Sequence, residues 1–452
     1  MPHLLSVRVC VPLTLAALSC DVAFAQRQDI IFIGGRPYAR TQIQEDLSAA
    51  IGIGDWITAA DGVCYTRWGG PANNIIAYQF DRWLRRTAPP LDVGPIPETS
   101  PLSIRFRYHA GHFWLWYPLS GMIEMRRVRV NDGAVYAFPV LGEFFVDGTI
   151  YAEFERERVA VATSGHSIES GDLGPWGVYA QVLTYDGVPL GPRLHMYSDF
   201  QESVTATGTA LDADMLTVSH TRSLGSADRR TAMQHTLPGG PAGPLLPIGG
   251  SNTSGGVLQR NLDSSLIVWT RVANQQAAGL YLSRYTGSGA LAEGPVALGP
   301  RYQLRALADG SFITTLGGSQ VQIELYGPDW VVIGPSFGSA VGTTRAIQEL
   351  RGLDFSEDGT IWVSWLARDG FGADYYLTAI TPLTPGDLDG DGRLTNFDID
   401  PFVLALTNRE AYIAAFPHIP PEAIDILGDL NDDGVLTNFD IDPFVDALVN
   451  GP

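Results

Sequence analysis

The chain contains no lysine; all 29 of its basic residues are arginine. They stand against 49 Asp and Glu, for a net charge of −20. No basic cluster of the kind a phosphate backbone requires is present, which excludes nucleic acid as a partner. Cysteine is nearly absent too: Cys10, Cys20 and Cys64. Residues 1–25 have the pattern of an export signal. Arg8 is followed by an apolar run, Val9–Leu18, and Ala23-Phe24-Ala25 fits a small-x-small cleavage site. Cleavage after Ala25 predicts a secreted or cell-surface protein. Ala17-Leu18-Ser19-Cys20 offers a second reading, a lipoprotein anchored at Cys20. If Cys10 and Cys20 leave with the signal, Cys64 has no intrachain partner. Stability then rests on burial and metal. The run at 9–18 is too short to span a bilayer, and no other segment is long enough, so no transmembrane segment is expected in the mature chain.

What the chain has instead is a duplicated tail. Residues 386–400 read GDLDGDGRLTNFDID and residues 428–442 read GDLNDDGVLTNFDID, 42 residues later. Each contains a twelve-residue pattern for a hard cation that takes six to eight oxygens. In the first copy positions 1, 3, 5, 7, 9 and 12 are Asp387, Asp389, Asp391, Arg393, Thr395 and Asp398. In the second they are Asp429, Asn431, Asp433, Val435, Thr437 and Asp440. Position 7 lends its carbonyl, so Arg and Val serve equally. Gly392 and Gly434, at position 6, permit the sharp turn. Two Ca2+ ions are expected. The acidity is concentrated here: residues 385–452 carry 14 Asp/Glu against two Arg, a net −12.

This pair of loops resembles a dockerin domain, a duplicated EF-hand-type calcium module without the regular entering helix. Thr384-Pro385-Gly386 before the first loop fits that absence, because helices do not run easily through Pro and Gly. The resemblance covers about 385–451. It implies calcium ligation by the twelve residues just named and a cohesin-like or other surface protein as partner. Asn396-Phe397 and Asn438-Phe439 depart from the Ser/Thr that cellulosome dockerins usually place at positions 10 and 11. Phe397, Phe402, Val403 and Leu406, with Phe439, Phe444, Val445 and Leu448, are expected to form a small shared core.

Between the signal and the tail, seven pairs of strands recur. The first members are Val63–Trp68, Phe113–Trp116, Val159–Ala162, Met215–Val218, Leu266–Trp269, Phe312–Thr315 and Ile361–Trp365. The second are Ile75–Tyr78, Met125–Val130, Val178–Leu183, Thr231–His235, Leu280–Tyr285, Val321–Leu325 and Tyr375–Ile380. Seven units of about 41–55 residues, close to the roughly 40–50 that a four-stranded blade needs, predict a seven-bladed β-propeller; tandem β-sandwiches are the competing arrangement. Trp176–Leu194 and Gly279–Leu298 resemble a bacterial propeller-like repeat of the form VYAQRYDADGTPLG. Asp29–Gly34 is expected to pair beside Tyr375–Ile380 and close the last blade. The expected fold is therefore mainly β: a signal at 1–25, a propeller-like domain at 26–383 and a small α-helical, dockerin/EF-hand-like calcium module at 384–452.

Catalytic patterns are weak. Gly334-Pro335-Ser336-Phe337-Gly338 fits G-x-S-x-G but falls on a recurrent Gly-Pro pause. Ser356–Trp362 has the look of an Asp-box but fits a hairpin turn as well. The seven histidines after the signal form no zinc pattern. Glu153, Glu155 and Glu157 alternate with Arg156 and Arg158, as on a solvated edge. Trp114, Trp116, Tyr117, Trp176, Trp362 and Trp365 are either blade core or a sugar-stacking platform. No catalytic residues are assigned. The function expected is a secreted or cell-surface, non-catalytic calcium-binding protein that docks through its tail and binds a glycan or protein on its propeller. The alternative is a polysaccharide-degrading glycoside hydrolase or lyase with a docking module.

Overall fold

A computed structural model describes residues 26–451 apart from short stretches, the longest being 46–57, 67–73 and 96–104. The signal and lipoprotein expectations lie outside the described residues. Among those described, the strands form seven separate antiparallel sheets of four or five strands. The seven strand pairs found in the sequence are the central strands of these sheets, for example His112–Leu119 with Met122–Arg129 and Ile361–Arg368 with Ala373–Pro382. Their alternation buries one residue in two on each face. Trp114, Val159, Val218, Val268, Ile313 and Val363 are fully buried in this way.

Neighbouring sheets are tied by polar side chains as well as by apolar contact. Gln181, Gln348 and Gln42 are each buried. Their Oε1 atoms accept the backbone N–H of Leu141, Val321 and Val341 respectively, at 3.0, 2.9 and 2.8 Å. Each bond satisfies a buried or half-buried backbone N–H that lies just outside the strands and so has no ladder partner.

The N-terminus departs from expectation. Arg36–Glu45, not Asp29–Gly34, pairs with Ala373–Pro382. Gln26–Ile33 folds back on Arg36–Glu45 as an outer fifth strand. Gly34 and Gly35, both at positive φ, make the tight turn that permits the hairpin. A hairpin fills the edge with two strands where one had been expected.

After Pro382 the chain turns helical: α1 (Ile399–Thr407), α2 (Arg409–Ala415), α3 (Ala423–Gly428) and α4 (Ile441–Asn450). None of the described helices is long and apolar enough to cross a membrane. The helical module shares one core with the β body. Phe402, Tyr412, Ile424, Leu427 and Phe444 cluster with Ala39, Trp83 and Leu383 of the β body and its exit.

One buried histidine gives the β body an acid sensitivity. His220 is fully buried, stacks on Tyr197 at 5.0 Å, and has no hydrogen-bond partner on either ring nitrogen. Burial, with Arg222 nearby, pulls its pKa down to about 4. The folded state thus holds it neutral, while an unfolded imidazole takes a proton below about 6.5. Its contribution is complete above about pH 6.5 and is lost as pH falls toward 4. Urea unfolding at pH 7 and pH 4.5 should show His220→Leu losing roughly 2–3 kcal/mol less than the unmodified chain between the two. Equal losses would refute the assignment.

Candidate metal centre

The first loop winds because each acidic side chain caps the backbone ahead of it. Asp387 accepts from the N–H of Gly390 and Gly392, both at 2.9 Å. Asp389 accepts from Asp391 N–H at 3.0 Å, and Asp391 from Arg393 N–H at 2.9 Å. These local bonds turn alternate carboxylates inward. One oxygen from each of Asp387, Asp389 and Asp391 lies within 4.8 Å of the others. Three oxygens at that limit have a common centre about 2.8 Å from each, so a small inward shift would bring all three to a calcium–oxygen distance of about 2.3–2.6 Å. Gly392 has φ +100°, a conformation that side chains resist.

Position 12 acts as a staple. Asp398 is fully buried. Its Oδ1 accepts from Leu388 and Asp389 N–H at 2.8 and 2.9 Å, and its Oδ2 from Thr395 N–H at 2.8 Å. Thr395 Oγ1 in turn accepts from Phe397 N–H at 3.2 Å, completing a capping box. The loop's start is thereby bound to the start of the following helix. Asp398 stands outside the three-oxygen cluster, and Arg393 would contribute through its backbone carbonyl.

The second loop repeats this network on the surface. Asp429 accepts from Asp433 and Gly434 N–H at 3.0 and 2.6 Å. Asn431 Oδ1 accepts from Asp433 N–H at 2.9 Å, and Asp433 from Val435 N–H at 3.2 Å. Asp440 staples Leu430, Asn431 and Thr437 as Asp398 does in the first copy.

The first loop has an electrostatic problem that a cation resolves. Burial, with Asp398 and Asp391 beside it, pushes the Asp387 carboxyl up to about 7, against the opposing pull of Arg82. Asp389 and Asp398 are raised as well, chiefly by burial. Carboxylates gathered and desolvated with only the Arg82 guanidinium to offset them resist ionising together. A divalent ion would supply that charge, and the donor set, all oxygen, suits calcium.

The shared core of the module is smaller than the sequence implied. Phe402 and Phe444 are buried and stack at 4.2 Å, with Leu406 and Leu448 half-buried. Phe397, Val403, Phe439 and Val445 are exposed instead. Helical spacing explains the split: 402 and 406 lie one turn apart on one face, and 399 and 403 on another.

Other candidate sites resolve into packing. Trp114, Trp116, Tyr117, Trp362 and Trp365 are buried core, which removes them as a stacking platform. Phe337-Gly338 is a short strand paired with Gln322-Ile323, so no helix follows Ser336. Asp358 caps Thr360 N–H at 3.0 Å around Gly359, φ +81°, as Asp309 caps Ser311 at 2.8 Å. Glu153 pairs with Arg107 at 3.0 Å, and Glu155 with Arg158.

Three residues contact the first loop without having been assigned to it from the sequence, His418 having been weighed only among the histidines that form no zinc pattern. Arg82 and Trp83 sit on a β-body turn, and His418 follows α2. Nothing local marked them: Leu84 takes φ +58° at a turn position held by Gly187, Gly289 and Trp330 in the corresponding turns at 184–188, 286–290 and 327–331.

No protein-family model matches the sequence, and no curated relative matches it. Among solved structures, the chain is similar to a puromycin-hydrolyzing peptidase of Mycobacterium tuberculosis, with 10% identity and TM-score 0.45 over 73% of this chain and 54% of that one. It is also similar to a prolyl endopeptidase, with 12% identity and TM-score 0.44 over 69% and 44%. A third is the β-propeller domain of the Trilobed protease from Pyrococcus furiosus, with 9% identity and TM-score 0.40 over 77% and 97%. The chain spans about half the length of the first two. The function expected from the sequence is corrected on this comparison. Its neighbours are peptidases and a protease's propeller domain, so neither the non-catalytic glycan- or protein-binding reading nor the glycoside hydrolase or lyase is retained.

Calorimetric titration of the full chain should find two calcium ions bound. Asp387→Ala and Asp429→Ala should each remove one, and the double variant both. No binding heat in the unmodified chain, or two ions still bound after both substitutions, would reject these ligands.

Proposed function

We propose that residues 384–450 are a calcium-organised module that takes one ion in each loop and docks a partner protein. The observation that carries this reading is a duplicated apolar surface. Phe397 and Phe439 are 71% and 73% exposed, and Ile399, Val403, Ile441 and Val445 are exposed at matching positions of the two copies. Apolar side chains grouped on a surface mark interaction sites more often than chance exposure does. The surrounding charge is net −12 over 385–452. The partner fitting both features has an apolar patch rimmed by Arg and Lys; a cohesin-like surface protein is the class the family resemblance implies. The stapled loops place Phe397 and Phe439 directly before α1 and α4, so ion binding and the shape of this face are linked.

For the β body, seven sheets in sequence order support a seven-bladed propeller as the finer reading. A peptidase-related role is brought to it by the names of the matched structures alone. Hydrolysis of blocked prolyl peptides by the purified full chain tests that role.

Cross-linked capture from extracellular and surface extract, with identification of the partner, tests the docking reading. Calcium should be required. Phe397→Ser with Phe439→Ser should weaken binding of the captured protein at least tenfold, about 1.4 kcal/mol. Binding that survives both EGTA and the double substitution would count against it.

A further inference from the structure

The two loops share a sequence but not an environment. The first is held from outside by the β body. Asp81 accepts from the N–H of Trp83 and Arg85, each at 2.9 Å, and so folds the turn that carries Arg82 and Trp83. Trp83, 1% exposed, donates its indole N–H to Gly390 O at 2.7 Å. Gly390 is position 4 of the loop. His418 Nδ1 lies 2.9 Å from Arg85 Nη1. A guanidinium only donates, so Nδ1 accepts and Nε2 carries the proton. Nε2 then donates to Asp389 O, at 3.3 Å. Gln28 donates to His418 O at 2.8 Å, which fixes the histidine to the first strand.

Position 4 has diverged between the copies in the way this contact demands. It is Gly390 in the first loop and Asp432 in the second, and both take positive φ, +78° and +60°. A Cβ at Gly390 would lie 2.9 Å from Trp83 Nε1 and 3.1 Å from His418 Nε2. The turn accepts Asp in the second copy, so it is the approach of Trp83 and His418 that needs glycine at position 4. Position 6 differs likewise. A Cβ on Gly392 would meet Arg82 Nη1, whereas one on Gly434 would meet nothing within 4 Å.

Resting on the calcium reading above, we propose that Trp83 and His418 are positioning residues for the first loop, so that its ion also locks the module to the β body. They hold two carbonyls of the coordinating turn before the ion arrives. The ordering cost of closing the loop is thus already met, which raises affinity at this site. By linkage, the ion tightens the junction by the same factor. Among the described residues the second loop has none of these contacts, and it binds calcium by itself.

The test uses the full chain with one loop at a time disabled. In an Asp429→Ala background only the first loop reports, and in Asp387→Ala only the second. Trp83→Phe should weaken calcium binding in the first background about tenfold and leave the second within about twofold. Gly390→Asp, which gives the first loop the residue its copy already uses, should do the same and covers the case in which Trp83→Phe fails to fold. Unchanged affinity at the first loop, or equal weakening at both, overturns the proposal. Absence of binding at either loop in the unmodified chain would instead defeat the calcium reading, and this inference with it.

Discussion

A buried indole N–H must find an acceptor, and Trp83 finds one on the backbone of the first acidic loop. That bond sits within a core that belongs to both halves of the molecule. Ala39, Trp83 and Leu383 pack with Phe402, Tyr412, Ile424 and Phe444. Dry contact of this kind, with its polar groups paired, leaves little freedom for the module to swing. Tyr412 adds to it by donating to Leu388 O at 2.8 Å. The tail is thus an extension of the β body, not a bead on a tether.

The loops work by a different constraint. Carboxylates at alternate positions cap the N–H groups ahead of them, and position 12 pins the loop to the next helix. The price of this geometry in the first copy is negative charge crowded where water is scarce. Burial and neighbouring carboxylates raise Asp387 for that reason. A divalent cation would answer the crowding, and the backbone already forms the arrangement that would receive it. The second copy keeps the network but stays in solvent, with Asp432 where the first has Gly390.

Much of this was legible in the sequence. The strand pairs were visible because alternation and tight turns recur, and the loops because ligand spacing is rigid. Three things were not. The N-terminal hairpin was missed because Asp29–Gly34 has the stronger apolar run, although Arg36–Glu45 is the strand that pairs. Phe397, Val403, Phe439 and Val445 were assigned to the core because they are apolar; helical phase, not hydropathy, decides which face is covered. The junction was invisible because Trp83 and Gly390 are separated by 307 residues and meet only once the sheets are assembled.

The central claim is that two ions organise the tail and that the first does so in contact with the β body. A crystal structure of the full chain grown in calcium, with anomalous data, tests this most directly. The account predicts one scattering centre about 2.4 Å from oxygens of Asp387, Asp389 and Asp391 and another amid Asp429, Asn431 and Asp433, with Trp83 still bonded to Gly390 O. Water in both loops at millimolar calcium, or a tail detached from Trp83 with its ions in place, would contradict it.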